Sequence, residues 1–341
     1  MKGSFFVETK ILSPNELEEA ADLLRNGEVV AFPTETVYGL GADATDEEAV
    51  NKVFEAKGRP ADNPLIAHVS SVSQALHYVK NTTPLILGLM EEFWPGPLTL
   101  VLEHNGLFAS NVTADLKSVG LRMPNNSITL KLIEKVSKPI VGPSANTSGR
   151  PSPTSAHHVY HDMKNRIAAI VDNGETGLGL ESTVLDLTDE KNPIILRPGA
   201  IGMEDLQPFI PNVTFDEHLL NEDEAPKSPG MKYTHYSPTE PVYIIQKDGI
   251  GWEKAIQLFE KQGEKVGLLA SEEIIQQYEK RVTNTFSLGS DIHSASRLLY
   301  AGLRYFENLE SSVILAESYA EVGIGKAYMN RLKKAAGNKY L

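Results

Sequence analysis

Apolar positions fall into two alternating patterns along this chain: short continuous runs, and longer stretches with helical spacing. Ser13-Pro14-Asn15-Glu16 reads as a capping box with Pro at the first helical position. Leu17, Ala20, Ala21 and Leu24 follow on one helical face, and Gly27 closes the helix. The run at 29–32 predicts a short buried strand. Thr45-Asp46-Glu47-Glu48 then opens a helix with Ala49, Val50, Val53 and Phe54 as its apolar face. That helix delivers Lys57-Gly58-Arg59-Pro60 at its C-terminal end. Further strands are predicted at 65–69, 98–102, 119–123, 139–142, 167–172, 182–187 and 193–197. Further helices are predicted at 71–80, 84–93, 127–136, 155–163 and 204–210. This is an α/β pattern around one twisted central sheet flanked by helices, and its short connections favour a mixed sheet over a purely parallel one. The pattern does not set the strand order.

The periodicity stops after Pro211. Residues 212–240 carry the acidic run Glu222, Asp223, Glu224 and end in SPGMKYTHYSP, which reads as a linker. A fresh series begins at Pro241, with strands in PVYIIQ, KVGLLA, TFSLG and SVILAE and helices near 253–261, 272–279, 291–307 and 326–336. It predicts a small Rossmann-like domain. The organisation expected is a catalytic domain at 1–211, a linker or lid at 212–240 and a C-terminal domain at 241–341.

Composition narrows the function classes. The chain has 341 residues, 41% hydrophobic and 23% charged, enough for two ordinary globular domains. The formal net charge of −13 argues against general affinity for nucleic acid, because phosphate contacts need clustered cations. There is no cysteine, which removes disulfides, thiolate catalysis and Cys-ligated zinc. Glu8 and Lys10 interrupt any apolar start, and no run reaches the roughly 20 apolar residues that span a bilayer. A cytoplasmic location is the expectation. Gly323-Ile324-Gly325-Lys326 is a near miss to a phosphate loop, with Ala327 in place of the hydroxyl residue. Gly177-Leu178-Gly179 begins a dinucleotide fingerprint that Ser182 breaks. No metalloprotease motif and no nucleophile elbow occurs.

Two segments carry chemistry. KGRPADNP (57–64) sets Lys57, Arg59 and Asn63 close together between prolines. Two cations so near suit a polyphosphate, with Lys as point charge and Arg as bidentate fork, or else a solvated helix end favoured by the dipole. PSANTSG (143–149) follows an apolar strand, where α/β sheets place ligands; its N–H groups suit an anion nest or an ordinary turn. Arg122 lies inside the strand VGLRM and must be paired, either structurally or as a clamp on a substrate carboxylate. Thr34, Thr36 and Tyr38 follow a strand and are candidates to face a ligand. His68 in LIAHV, Glu181-Ser182-Thr183 and Arg197-Pro198-Gly199 are each weak alone.

Together AFPTETVYGLG, AKGRPADNPL, WPGPLT, GLRMP, GPSANTSG, ESTVLD and LRPG resemble the YrdC-like family, in particular its threonylcarbamoyl-AMP synthases. SPGMKYTHYSP and GIGKAYMNRLKKAAG are similar to the long form with an extra C-terminal domain. The resemblance implies a nucleotidyltransferase that joins L-threonine, bicarbonate or CO2, and ATP into L-threonylcarbamoyladenylate. Pyrophosphate leaves, and the product serves the threonylcarbamoyladenosine modification of tRNA. It places ATP on Lys57, Arg59, Asn63, Ser118, Ser144, Asn146 and Arg197, with Tyr236 covering it. Lys57 and Arg59 are the catalytic cations. Threonine falls to Thr36, His68, Arg122, Gly142 and Ser182. Mg2+ is expected with ATP, with few protein ligands and no dedicated metal site. The product is expected to pass to the threonylcarbamoyl-transferase complex, without stable nucleic-acid or membrane binding.

Two rivals stand beside this reading. A carbamoyl-adenylate-forming transferase of hydrogenase maturation carries acylphosphatase and Cys-rich segments that this chain lacks. A double-stranded RNA-binding module needs basic surface that a charge of −13 opposes. The linker residues Lys232, Tyr233, His235 and Tyr236 are expected to close over the site.

Overall fold

The computed structural model describes residues 8–216, 236–307 and 309–341, in two compact units. The first comprises residues up to 148 together with 153–177 and 181–232. The second comprises 149–152, 178–180 and 233–341.

In the first unit the capping box forms. The Glu16 carboxylate accepts from the Ser13 N–H at 2.8 Å and from its hydroxyl at 2.7 Å. The turn it caps is 3-10, and the α-helix proper, α1, runs Leu17–Arg25. The strands are β1 (Lys10–Leu12), β2 (Val30–Phe32), β3 (Gly39–Asp43), β4 (Ile66–His68), β5 (Leu98–Glu103), β6 (Ser118–Arg122), β7 (Ile140–Val141), β8 (Ala169–Val171), β9 (Thr183–Asp186), β10 (Ile194–Arg197) and β11 (Thr214–Phe215). They form one mixed sheet in the order β1-β8-β2-β3-β7-β4-β6-β5-β9-β10-β11. The helices that follow α1 are α2 (Glu47–Lys57), α3 (Val72–Tyr78), α4 (Pro84–Phe93), α5 (Ser110–Thr113), α6 (Ser127–Val136), α7 (Ala156–Met163) and α8 (Met203–Leu206).

Side-chain caps start these helices where the sequence places them. Thr83 accepts from Ile86 N before α4, and Asn126 from Ile128 N and Thr129 N before α6. Leu17, Ala20, Ala21 and Leu24 of α1 pack with Leu132, Ile133 and Val136 of α6 against Val30, Phe32 and Ile140. A larger core includes Val50, Val53 and Phe54 of α2, Leu89 and Met90 of α4, and Val159 and Met163 of α7. The helices thus cover the sheet and leave its strand ends to carry loops.

Three strands and one helix fall where the sequence pattern gave none. β1 and β11 are short edge strands. β3 is Gly-Leu-Gly-Ala-Asp, a strand where PTETVYGL reads as a strand-end turn. Its glycines fit because Phe32 of the paired strand fills the space: a Cβ on Gly39 would meet the Phe32 ring at 2.6 Å. β11 also pairs with β10 inside the stretch expected to be linker, so the first unit's sheet extends past Pro211.

The second unit holds β12 (Val242–Ile245), β13 (Val266–Ala270), β14 (Asn284–Ser287) and β15 (Val313–Glu317), all parallel, in the order β12-β15-β13-β14. Its helices are α9 (Trp252–Lys261), α10 (Glu272–Tyr278), α11 (Ile292–Tyr305) and α12 (Ile324–Ala336). Gly323, Gly325 and Lys326, the near-miss phosphate motif, lie at the start of α12. No helix among the described residues is long and apolar enough to cross a membrane.

Candidate functional site

Sheet register brings the candidate side chains of the first unit together. His68 and Arg122 are Cα partners on the parallel strands β4 and β6, and His68 also pairs with Ile140 of β7. Gly142, just beyond β7, donates its N–H to the Ile66 carbonyl at 2.9 Å, so only its carbonyl remains for a ligand. A Cβ at Gly142 would lie 2.5 Å from the His68 ring and 2.8 Å from Phe32. Burial, and next the charge of Arg122, hold His68 well below the ordinary histidine value, so its imidazole is neutral at pH 7.

Arg122 is 4% exposed. Its Nε donates to the Gly96 carbonyl at 3.2 Å and its Nη1 to Thr36 Oγ1 at 3.0 Å. Its Nη2 lies 2.7 Å from a Glu35 carboxylate oxygen. Thr34 Oγ1 donates to the Val37 carbonyl at 2.6 Å, so in its 2.8 Å contact with Thr36 the donor is Thr36. The Thr36 proton is therefore engaged, and Thr36 can offer a ligand only a lone pair. Tyr38, also a candidate to face a ligand, is instead fully buried and donates its hydroxyl to the Gly174 carbonyl at 2.7 Å.

Ser182 and Arg197 are in direct contact. Arg197 donates from Nε to the Ser182 carbonyl at 3.0 Å and from Nη2 to Ser182 Oγ at 3.1 Å. Thr99 Oγ1 lies 2.8 Å from the same Ser182 hydroxyl. A residue expected on the threonine side and one expected on the ATP side thus share a hydrogen bond.

The KGRPADNP segment does more than present cations. α2 begins at the Asp46 cap, which accepts from Glu48 N at 3.0 Å and Ala49 N at 3.2 Å, and ends at Gly58 with φ 63°. Lys57 is buried, and its Nζ donates to the Ser144 carbonyl and to the Asn146 carbonyl, the latter at 2.9 Å. Ser148 N–H returns to the Lys57 carbonyl at 3.0 Å. Within the loop Ser144 Oγ donates to Asn146 Oδ1 at 2.5 Å, and Asp162 of α7 accepts from Thr147 N at 3.3 Å. Burial, then repulsion from Arg59, lowers Lys57 to about 7. Arg59 is 8% exposed. Asn63 is fully buried, and neither its amide oxygen nor its nitrogen has a hydrogen-bond partner. Ser118 opens β6, half-buried, beside a small cleft that Leu65, Ile66, Gly120 and Val184 also line.

Tyr236 belongs to the second unit. It is 5% exposed with φ 69°, its ring stacks on Tyr300 at 5.1 Å, and the next N–H, of Ser237, donates to the Gly149 carbonyl. Lys232, Tyr233 and His235 lie outside the described residues. Sequence reasoning did not single out Glu35, Thr99 or Asp162. Glu35 and Thr99 sit inside the motifs PTET and WPGPLT, and only the pairing of β5, β6 and β9 brings out their roles.

Buried cations, hydroxyls and a strand-end loop gathered on one mixed sheet define an α/β enzyme that handles anionic substrates. Two family models divide the chain between them. One, described as Telomere recombination (Sua5, YciO and YrdC), matches residues 22–199. The other, described as the threonylcarbamoyl-AMP synthase C-terminal domain, matches residues 201–337. The chain is 45% identical to the threonylcarbamoyl-AMP synthase of Bacillus subtilis, over 98% of this chain and 97% of that protein. It is 44% identical to the threonylcarbamoyl-AMP synthase of Pyrococcus abyssi, over 94% of each. The crystal structure of P. abyssi Sua5 complexed with L-threonine matches with a TM-score of 0.92 at 42% identity, covering 98% of this chain and 99% of that one. The chain belongs to the Sua5/YrdC family of threonylcarbamoyl-AMP synthases.

Proposed function

We propose that the protein condenses L-threonine, bicarbonate or CO2, and ATP into L-threonylcarbamoyladenylate and pyrophosphate. One observation carries this reading: Lys57, Arg59, Arg122 and Arg197 are all buried in the first unit of a chain whose net charge is −13. A cluster of buried basic side chains is complementary to anionic substrates, a polyphosphate and a carboxylate.

The threonine amine, once neutral, bonds the CO2 carbon to give a carbamate. A carbamate oxygen then attacks the α-phosphorus, and pyrophosphate carries away the electron pair. Positioning and charge stabilisation account for such a step without a covalent enzyme intermediate. Lys57 and Asp162 hold the 143–148 loop by its carbonyls and by an N–H, and Arg59 and Arg197 are assigned to the ATP phosphates. Asn63, with an open amide, and Ser118 are assigned to the nucleotide. Arg122 takes the threonine carboxylate. Thr36 Oγ1 accepts a hydrogen bond from the substrate hydroxyl, and His68 and the Gly142 carbonyl complete that pocket. A site that hydrogen-bonds the substrate hydroxyl discriminates strongly against analogues lacking it.

Mg2+ is proposed as the companion of ATP, where it offsets phosphate charge. Its ligands are proposed to be chiefly the phosphates, with few from the protein. The product is proposed to serve tRNA threonylcarbamoyladenosine synthesis through a transferase complex in the cytoplasm. The test is pyrophosphate release from ATP and bicarbonate with each amino acid in turn. Release that requires threonine is expected; release indifferent to the amino acid overturns the reading.

A further inference from the structure

Glu35 stands out among the groups this reading leaves without a role. It follows Thr34 in the strand-end segment PTET, and its side chain is 12% exposed. Its Oε2 lies 2.7 Å from Arg122 Nη2, yet neither carboxylate oxygen has a hydrogen-bond partner. The contact is one of charge, with angles that leave the acceptor capacity of both oxygens open. Arg122 is equally under-used. A guanidinium has five N–H donors, and the hydrogen bonds to Gly96 and Thr36 engage two of them. A buried positive and a buried negative group therefore sit side by side, both with open hydrogen-bonding capacity. An α-amino acid is a zwitterion whose carboxylate and ammonium are attached to one carbon, and it matches such a pair in sign and spacing. A lone Arg122 would read a carboxylate of any kind.

The geometry points to Glu35 as the group that receives the α-ammonium of the amino acid and accepts its proton. This rests on the proposed function and deepens it. The proton balance is complete. One ammonium proton passes to a Glu35 oxygen, and the freed nitrogen lone pair bonds the CO2 carbon. As the C–N bond forms, a second N–H proton leaves to water, giving the carbamate. Glu35 then returns its proton to solvent as products depart. The charged or titratable groups beside it are Arg122 of β6 and, next to Arg122, the neutral His68 of β4. Neither is an alternative acceptor: the first is cationic, and burial disfavours protonation of the second.

The test compares wild type with Glu35→Gln on three readouts. Binding of L-threonine and of its analogue with hydroxyl in place of the amine is followed by calorimetry. Wild type should prefer threonine by at least tenfold, and Glu35→Gln should lose that preference while still binding the analogue, because Arg122 remains. Threonine-dependent pyrophosphate release should fall at least a hundredfold in kcat at pH 7 and recover as pH rises and free amine accumulates. Should Glu35→Gln not fold, Glu35→Asp retracts the carboxylate by one methylene and should cut kcat at least tenfold with KM within a few-fold. An unchanged preference for threonine together with an unchanged pH profile in Glu35→Gln, or a kcat within twofold in Glu35→Asp, overturns the assignment. If wild type releases no pyrophosphate with threonine, the proposed reaction fails instead. The preference for amine over hydroxyl would then still decide the role of Glu35.

Discussion

Lys57 shows how far a residue's role can be read before its neighbours are known. The sequence places it beside Arg59 and leaves open a solvated helix end or a phosphate site; its burial removes the first. What no spacing reveals is that its ammonium reaches across to two carbonyls of the 143–149 loop. The unfolded chain has an ordinary lysine near 10.4, whereas burial and Arg59 hold the folded value at about 7. Between those values the unfolded chain binds more protons, so the penalty for burying Lys57 shrinks as pH rises through that window. A polyphosphate alongside opposes the shift. We expect ATP binding at pH 8 to draw in protons, seen by calorimetry in two buffers of different protonation enthalpy. Lys57→Met should abolish the uptake and weaken ATP binding by about 1.5–3 kcal/mol, the range for a charged hydrogen bond. Arg122→Ala should abolish threonine-dependent ATP–pyrophosphate exchange, and near-normal exchange would remove the clamp. Glu35 was illegible for the opposite reason: a carboxylate in a Thr-rich turn looks like turn chemistry until β6 brings Arg122 against it.

At the scale of elements, the sequence was most informative where local chemistry decides the outcome. α4 and α6 run over the residues expected, because Thr83 and Asn126 cap them and their apolar faces are continuous. It was silent on β1, β3 and β11, which exist only through their partners, and on the strand order. Two glycines separate local from tertiary constraint. Gly58 ends α2 in the left-handed region with nothing within 4 Å of an added Cβ. Gly58→Ala should therefore cost only backbone strain, about 1–2 kcal/mol. At Gly142 an added Cβ would strike His68 and Phe32, both fixed in the core. We expect Gly142→Ala to cost at least as much as overpacking usually does, about 1–3 kcal/mol, and to weaken threonine binding as His68 is displaced. Urea unfolding gives the first comparison and threonine titration the second. Gly142→Ala with wild-type threonine affinity would detach His68 from the pocket.

At the scale of the molecule, the periodicity correctly signals two α/β units, but not that the second takes residues from within the first two-thirds of the chain. Residues 149–152 and 178–180 group with 233–341, and their contacts explain why. Arg304 of α11 donates from Nε to the Pro151 carbonyl at 3.1 Å and from Nη2 to the same oxygen at 2.5 Å. Glu307 pairs with Arg150, and Ser237 N–H is bound by the Gly149 carbonyl. A Cβ added at Gly179 would meet the Arg297 backbone carbonyl at 2.3 Å, so the position has no room for a side chain. A chain ending at residue 232 would lose every one of these partners. The 149–152 segment follows directly on the 143–148 loop that Lys57 anchors, so its release removes support from the downstream end of that loop. We therefore expect the truncated protein to keep its sheet and α-helical content by circular dichroism but to lose most threonine-dependent pyrophosphate release. The defect should lie in kcat and ATP affinity rather than in threonine binding, because the residues around Arg122 belong wholly to the first unit. A truncated protein with full turnover would show that the 149–152 contacts serve only the second unit, and threonine binding lost along with turnover would point to general unfolding.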